Sequence, residues 1–338
     1  MSVVANSGAG PSGPDRPGLR IRIFDVIFRW REVSIFVVAV LLIIYFESAN
    51  RDFLLSQASL QNLTQFIAPA AIISLGEIML MIGGEIDLSA GMIFAFAPFM
   101  MHYAVIAGLP PIVGILLGLL ASAMVGMVNG MVTLLLRVPS FVTTLGTMFL
   151  LNGLTLTLSA GTPVDTPNNP TLAAIFGHWG YSEILWALVI AAFMHLLLRN
   201  TRWGLHTVAS GGNPVGASEA GINVTRLKIG NFVISAMLSG FVGILEDFRI
   251  SSIDPQAGGS QIMFLAVAAG VIGGTSLAGG SGTIIGGLIG ATVLGVLNDG
   301  FTLIGINAFT FNIILGAAIL LAMVFNIQVA RLRRSGAV

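Results

Sequence analysis

The stretch RNTRWGLHTVASGGNPVGASEAGINVTRLK, residues Arg199–Lys228, is the longest polar interval of the chain after its N-terminal tail. The blocks on both sides of it are apolar. Of the 338 residues, 55% are hydrophobic and 9% are charged, whereas an average soluble domain has about 25% charged residues. Four segments carry no Asp, Glu, Lys or Arg: Leu88–Leu136, Val138–Val164, Pro255–Asn298 and Phe301–Ala330. Each can hold a membrane helix of about 20 residues, and none alternates like a barrel strand. The sequence therefore predicts an all-α, polytopic membrane protein.

The centre of the polar stretch predicts a short helix outside the membrane. The motif Gly211-Gly212-Asn213-Pro214 is typical of a turn, and Pro214 suits the first turn of a helix. Either Asn213 or Ser210 could cap that helix. The residues that follow are small, and Gly221 could close the helix. We predict a helix from Pro214 to Gly221, with an ordinary loop as the alternative.

The apolar segments along the chain predict ten membrane helices, at about 33–46, 63–82, 92–106, 112–136, 140–158, 182–198, 229–245, 261–272, 283–297 and 303–324. This arrangement puts thirteen of the fifteen basic residues on one side, with Arg51 and Arg249 on the other. The positive-inside rule then places both termini and Arg199–Lys228 in the cytoplasm, and 160–181 and 246–260 outside. Residues 1–18 are rich in Gly, Pro and Ser and are expected to be a disordered cytoplasmic tail. An eight-helix count with one re-entrant pair would keep the same sidedness.

Three acidic residues, Glu77, Glu85 and Asp87, lie in or beside the second predicted helix. An acidic group at membrane depth costs about 2.5 kcal/mol or more, so each needs a partner or water. They could form a proton relay or bind substrate hydroxyls. Alternatively, Asp87 caps the next helix, Glu85 sits in water at the interface, and Glu77 pairs within the bundle.

A weak internal repeat suggests two halves. Ile82-Gly83-Gly84, followed by Leu88–Gly91, is echoed by Ile272-Gly273-Gly274, followed by Leu277–Gly280. Both motifs follow helices that run in the same direction, which predicts two parallel half-repeats. Their approximate bounds are 33–198 and 228–326, with 199–228 between them. We expect the paired glycines to lie where backbone approaches backbone.

Several other classes of function find no support. The segment GGTSLAGGSG, Gly273–Gly282, has the glycines of a phosphate loop but lacks the lysine and the preceding strand. The four histidines have no metal-binding spacing, and the chain has no cysteine. No nucleophile–base pair is evident. The net charge is zero, which does not favour nucleic acid. We therefore predict no enzyme activity, no metal and no cofactor on this chain.

Four motifs in order resemble the ribose-type sugar permeases of bacterial ABC importers, within the branched-chain amino acid/ribose/arabinose-type permease family. They are GGEIDLSAG (Gly83–Gly91), PSFVTTLGTM (Pro139–Met148), GGNPVGASEAGINV (Gly211–Val224) and the glycine-rich segment Val271–Gly300. The resemblance implies a type II-like permease subunit of the bacterial inner membrane that imports a monosaccharide or polyol. It also implies three protein partners: a second permease copy or paralogue, a sugar-binding protein on the outer face, and an ATPase that binds ATP and Mg on its own chain.

The resemblance also implies roles for particular residues. The region before Val224 would be a coupling helix that docks on the ATPase, through Gly211, Gly212, Asn213, Pro214, Ala217, Glu219, Ala220 and Gly221. We expect Ala217 and Ala220 to enter a cleft of the ATPase, with Glu219 pointing elsewhere.

The candidates for the substrate path are Glu77, Glu85, Asp87, Gly83, Gly84, Gly273, Gly274, Thr275 and Gln261. Gln261 stands where the family usually has an acidic pair, and Glu85 is an additional acid. The alternative function is a proton-coupled secondary transporter that uses the three acids.

Overall fold

The computed structural model describes residues 31–177, 179–307, 310, 312–314, 316–321 and 324. The predicted tail 1–18 and the C-terminal arginines lie outside the described residues, and the predicted tenth helix, 303–324, lies partly outside them. The described helices are α1 Arg31–Ala49, α2 Asp52–Leu55, α3 Gln57–Ile82, α4 Ala90–Ile106, α5 Pro111–Leu135, α6 Ser140–Ser159, α7 Pro170–Phe176, α8 Ser182–Asn200, α9 Arg202–Gly212, α10 Pro214–Glu219, α11 Val224–Ile250, α12 Gly259–Ile272 and α13 Ile284–Leu303.

Seven of the described helices are long and apolar enough to cross a membrane: α1, α3, α5, α6, α8, α11 and α13. Two more, α4 and α12, are apolar but have only 17 and 14 residues. The predicted all-α, polytopic fold is confirmed. The count of ten is not confirmed, because these two helices are shorter than the roughly 20 residues that a full crossing needs.

Helix α3 is the centre of the bundle. Of its apolar window, 89% is buried, compared with 17% for α6. A helix that is apolar on every side is stable when other helices surround it, and α3 contacts α8, α11, α12 and α13. By contrast, α6 leaves Phe141, Phe149 and Leu150 exposed on the outer surface, where lipid would cover them.

The glycines of α5 let it lie directly against its neighbours. A Cβ at Gly118 would be 2.7 Å from the carbonyl oxygen of Ala97, and one at Gly130 would be 2.9 Å from Cα of Ile229. Small residues at four-residue spacing permit this close approach. The glycines of α5 therefore set its close packing against its neighbours.

Two predicted outer loops contain regular structure. Residues 160–181 hold α7 and the strand β1, Val164–Asp165, which pairs antiparallel with β2, Ser252–Ile253. The predicted loop 246–260 is wrong at its start, because α11 continues to Ile250. Glu246 and Asp247 suggested a loop in the sequence, but in the structure Arg249 and Thr166 bind their carboxylates.

The bundle has two distinct ends. The basic end carries Arg137, Arg199, Arg202, Arg226 and Lys228, which lie at the ends of α5, α8, α9 and α11. The final turn of α3 is at the same end, since Glu85 and Lys228 form an ion pair there. The opposite end is formed by the start of α3 and the ends of α11 and α13. The candidate residues are distributed between these two ends.

Candidate functional site

Helix α10, Pro214–Glu219, confirms the predicted short helix at the basic end. Asn213 rather than Ser210 caps it, because the Asn213 side-chain oxygen accepts a hydrogen bond from the N–H of Gly216 at 2.9 Å. Gly221 closes it in the left-handed conformation, with φ of +85°. A residue with a Cβ adopts that conformation only with strain.

The residues that α10 exposes are not all those that were expected to meet a partner. Ala217 is only 6% exposed and faces the body of the chain, so it is not available to a partner. Ala220 and Glu219 are exposed. The largest apolar side chain that α10 presents is Val215, which is 67% exposed, and α9 adds Leu205, which is 66% exposed. These two side chains, and not Ala217, form the accessible apolar surface of this region.

Helix α9, Arg202–Gly212, was not predicted. Thr201 caps it by accepting a hydrogen bond from the N–H of Gly204 at 3.3 Å. The indole N–H of Trp203 donates to the side-chain oxygen of Asn231 at 2.8 Å, which fixes α9 against α11. The signal in the sequence was the three-residue spacing of its buried positions, Gly204, Thr207 and Ser210. The glycines at its end suggested a turn instead.

The end of α9 meets two other segments backbone to backbone. A Cβ at Gly211 would overlap the carbonyl oxygen of Ile82 and lie 2.8 Å from the nitrogen of Gly280. The N–H of Gly280 donates to the carbonyl oxygen of Ile82 at 2.8 Å. A Cβ at Gly279 would lie 2.7 Å from the carbonyl oxygen of Gly211. We name the carbonyl group of Ile82 together with Gly211, Gly279 and Gly280 the glycine junction, since a Cβ at any of the three glycines would lie within 3 Å of backbone atoms.

The junction connects two turns that close α3 and α12. The first turn is Gly83–Ser89 and the second turn is Gly273–Thr283. In each turn, the N–H of the first glycine donates to the carbonyl oxygen four residues earlier, and the N–H of the second glycine donates to the carbonyl oxygen three residues earlier. The N–H of the next residue donates to the carbonyl oxygen five residues earlier. Gly84 and Gly274 have φ of +81° and +87°. Both turns are therefore Schellman caps that require glycine.

The expected approach of backbone to backbone occurs in only one of the two turns. A Cβ at Gly273 would overlap the carbonyl group of Gly286 in α13. A Cβ at Gly83 would be 3.2 Å from the oxygen of Leu80, in its own helix, and Gly84 is exposed with nothing within 4 Å of its Cβ position. The expected close approach of backbones is therefore found at Gly273 and not at Gly84. Position 84 needs glycine because of its positive φ.

Glu85 is not in water. Its Oε1 lies 2.7 Å from Nζ of Lys228, and the two side chains are only 13% and 12% exposed. Lys228 lies near the start of α11, so this ion pair ties the first turn to α11. The interpretation of Glu85 as a solvated interfacial acid is corrected.

Asp87 does not cap α4, because its Oδ1 accepts hydrogen bonds from the backbone N–H and the hydroxyl of Ser89, at 2.9 and 2.5 Å. Asn129 of α5 donates to the Ser89 hydroxyl at 2.9 Å. Glu77 accepts from the Ser235 hydroxyl at 3.1 Å and from the N–H of Asp87 at 3.3 Å. This buried network joins α3, α5 and α11 to the first turn. Glu77 therefore pairs within the bundle, which was one of the alternatives for it.

A separate polar cavity lies at the opposite end. It has a volume of about 580 Å³ and lies between α3, α11, α12 and α13. Its polar walls include Asn62, Gln65, Arg249, Gln261, Asn298 and Asp299. Of the residues predicted for the substrate path, only Gln261 lines this cavity. Of the other predicted residues, Glu77 lies in α3. The remaining two acids and the four glycines lie in the two turns, and Thr275 is buried in the second turn.

An arginine held by two carboxylates shapes one wall of the cavity. Nε of Arg249 lies 2.9 Å from Oε2 of Glu246 and 3.4 Å from Oε2 of Glu183, and a second guanidinium nitrogen also binds Glu246. Its third nitrogen donates to Gln65 at 3.4 Å. Sequence reasoning missed Glu183, and an acid at the start of an apolar helix was the available signal. In the described part of the chain, no group of three His, Asp or Glu side chains could hold a metal ion.

The chain is similar to known transport proteins along most of its length. The family model of the branched-chain amino acid transport system / permease component matches residues 59–323. The xylose/arabinose import permease protein XylH of Sulfolobus acidocaldarius is 37% identical over 318 residues, 92% of this chain and 88% of that protein. The ribose import permease protein RbsC of Bacillus subtilis is 32% identical over 85% of this chain and 89% of its own length. The ribose import permease protein RbsC of Escherichia coli is 34% identical over 79% of this chain and 85% of its own length. No solved structure matches.

Proposed function

The chain belongs to the family of branched-chain amino acid transport system permease components, and from this premise we propose that it is the permease subunit of an ATP-binding cassette importer for a monosaccharide or polyol. The family predicted from four sequence motifs is confirmed. The relatives named above are permeases for xylose and arabinose or for ribose, which supports a sugar as the cargo. Members of this family are transport subunits and not enzymes.

One observation carries the proposal of coupling to a partner. Helix α10 has only six residues and cannot be stable by itself. Its caps and the buried Ala217 fix it, and it holds the exposed Val215 outside the bundle. It follows α9 directly, and α9 ends at the glycine junction, which contacts both turns. A force on α10 would therefore reach the ends of α3 and α12.

The proposed orientation places the basic end in the cytoplasm. The five basic residues at that end satisfy the positive-inside rule, and Arg249 at the opposite end is neutralised by its two carboxylates. We propose that an ATPase, carrying ATP and Mg, docks on α9 and α10. A sugar-binding protein would then deliver cargo at the end with the polar cavity, and a second permease copy or paralogue would complete the pore. The location would be the cytoplasmic membrane.

A single surface substitution tests the docking. In Val215→Arg, a charged side chain replaces the most exposed apolar group of α10, so the partner ATPase should no longer co-purify and sugar uptake should be lost. Few buried contacts dominate such interfaces, so one clash should cost several kcal/mol. The control Gln256→Arg adds the same side chain at an exposed site between β2 and α12, at the opposite end from α10, and should leave co-purification of the ATPase unchanged. Co-purification of the ATPase with Val215→Arg, with normal sugar-stimulated hydrolysis, would contradict docking at α10.

A proton-coupled transporter is the second candidate, and one observation favours it. Glu77 and Asp87 are fully buried, and no basic side chain among the described residues contacts either of them. We expect the purified chain in proteoliposomes to give no uptake without the ATPase and ATP. Uptake by the chain alone that a protonophore abolishes would favour this second function instead.

A further inference from the structure

The polar cavity has the volume of a ligand site. Its volume of about 580 Å³ falls in the usual range of about 300–1,000 Å³ for small-molecule pockets. Asn62, Gln65, Phe66, Pro69 and Ala70 line it from α3 at spacings of three and four residues, so they form one stripe. The cavity therefore extends along about two helical turns of α3.

Three polar side chains of the cavity are free to bind a ligand. The side-chain amides of Asn62, Gln261 and Asn298 make no hydrogen bond to another described residue. Asp299 accepts one hydrogen bond, from the Ser59 hydroxyl at 3.2 Å, on Oδ2. An amide offers both donors and an acceptor, and a carboxylate only accepts. Sugar hydroxyls both donate and accept, so this set matches them.

The charge of the cavity disfavours anionic cargo. Its one cation, Arg249, is already bound by Glu246 and Glu183, and Asp299 adds a further carboxylate. A carboxylate-bearing molecule would meet no unpaired positive charge here and would lie beside negative ones. An amino acid or a sugar acid would therefore bind worse than a neutral sugar.

The deep part of the cavity is apolar. Phe66, Phe94, Ile262 and Leu265 line it, and Pro69 and Ala70 close one side. A pyranose has hydroxyls at its edge and C–H groups on its faces, so it suits a pocket with a polar rim and an apolar floor. Binding sites for small molecules usually combine such a floor with a few polar groups.

We propose that this cavity is a sugar-contacting site of the permease itself, which accepts neutral polyhydroxyl molecules through Asn62, Asn298 and Asp299, with Gln261 beside them on the cavity wall, and rejects those with a carboxylate. The proposal rests on the proposed function, because it assigns the cargo class that the imported molecule meets after leaving its binding protein. It also distinguishes a sugar from the amino acids for which the family is named.

The absence of cysteine from the chain makes a direct test possible. Gln261→Cys places a unique thiol in the cavity, and Ser260→Cys places one on the adjacent exposed residue, which does not line it. Both variants, assembled with the ATPase in nanodiscs without binding protein, are labelled with a maleimide. D-xylose, L-arabinose or D-ribose should slow labelling of Gln261→Cys, by about tenfold at ten times the dissociation constant. Labelling of Ser260→Cys should not change.

A matched pair of ligands tests the charge argument. D-glucuronate is the D-xylose ring with a carboxylate added, and leucine represents the amino acids. Neither should slow labelling of Gln261→Cys at concentrations at which D-xylose protects. In the double variant with Asp299→Asn, which keeps the shape of that side chain, D-glucuronate should begin to protect.

The failures of the two proposals are distinguishable. If the wild-type complex imports sugar but no sugar protects Gln261→Cys, the site is wrong and the proposed function stands. Protection by leucine, equal protection of Ser260→Cys, or equal protection by D-glucuronate would also overturn the site. If the wild-type complex with its ATPase and binding protein imports no sugar, the proposed function fails, whatever the labelling shows.

Discussion

The first and second turns end their helices with the same backbone hydrogen bonds but are held in place by different contacts. Side chains hold the first turn: Glu85 binds Lys228, and Asp87 binds Ser89. Backbone contacts hold the second turn, at Gly273 against Gly286 and at Gly280 against Ile82. One local motif can thus be fixed either by charge or by the absence of side chains. Substitutions should therefore affect the two turns differently.

We also propose that the two turns mark equivalent points of two half-repeats, at about 33–198 and 228–326. Their matching hydrogen bonds and left-handed glycines support this. The second helix is shorter, since α12 begins at Gly259, whereas α3 begins at Gln57 and passes through Pro69. The two halves would thus differ where the polar cavity forms.

The largest effect should come from the glycine junction that joins the turns. In Gly211→Ala the new methyl group overlaps the carbonyl oxygen of Ile82. Overpacking of this kind costs about 1–3 kcal/mol, and we expect the upper end because backbone, not side chain, must move. Thermal unfolding in detergent should show a clearly lowered midpoint. Gly212→Ala is the control, because its Cβ would meet only Cα of Gly280, at 3.9 Å. Equal midpoints for the two variants would contradict the junction.

A second pair of substitutions compares the turns at equivalent positions. Gly273→Ala should destabilise the protein by about 1–2 kcal/mol, because its Cβ overlaps the carbonyl group of Gly286. Gly83→Ala should change stability by less than about 0.5 kcal/mol, because its nearest atom is 3.2 Å away in its own helix. The measurement is again the unfolding midpoint. If Gly83→Ala is the worse of the two, the turns are not held as described.

The ion pair of the first turn should give a smaller and salt-sensitive effect. Lys228→Met leaves Glu85 mostly buried without its partner, and it should cost about 1 kcal/mol, at the top of the range for exposed pairs and below that for buried pairs. Lys228→Met with Glu85→Gln should recover part of the loss. A double-mutant cycle at low and high salt measures the coupling, and a coupling near zero would show that the first turn does not need the pair.

The smallest effect should be at Thr275. Its hydroxyl is buried without a hydrogen-bond partner among the described residues. Thr275→Val should therefore be neutral or slightly stabilising, and uptake should not change. Ser89→Ala in the first turn should cost about 1 kcal/mol, because it removes hydrogen bonds to Asp87 and Asn129. Loss of uptake in Thr275→Val, with stability kept, would return Thr275 to the substrate path.

The sequence predicted most of the bundle, because charge-free runs and turn residues report directly on local structure. Pro214 and Gly221 predicted the ends of α10 to within two residues, although the sequence left Ser210 as an alternative cap to Asn213. Contacts between distant segments were less accessible. Gly211 looked like a turn residue and is a packing residue, and Glu85 looked solvated until Lys228, 143 positions later, was placed beside it.

The candidate site was harder to predict for the same reason. The polar cavity is built from α3, α11, α12 and α13, and only Gln261 among its polar residues was singled out. Asn62, Asn298 and Asp299 lie near the ends of helices, where polar residues usually mark a boundary. Nothing in their local sequence indicates that they share a cavity. Three-dimensional proximity identified them.

The hydrogen bond from Gly280 to Ile82 has a consequence for isotope exchange. An amide in a glycine-rich loop normally exchanges with solvent deuterium quickly, because it opens at little cost. The amide of Gly280 is bound to the end of the most buried helix of the bundle. Its exchange should thus be slow while the second turn is seated on α3 and fast when it lifts away. The rate of deuterium uptake by the peptide that contains Gly280 would then report how often the second turn separates from the end of α3.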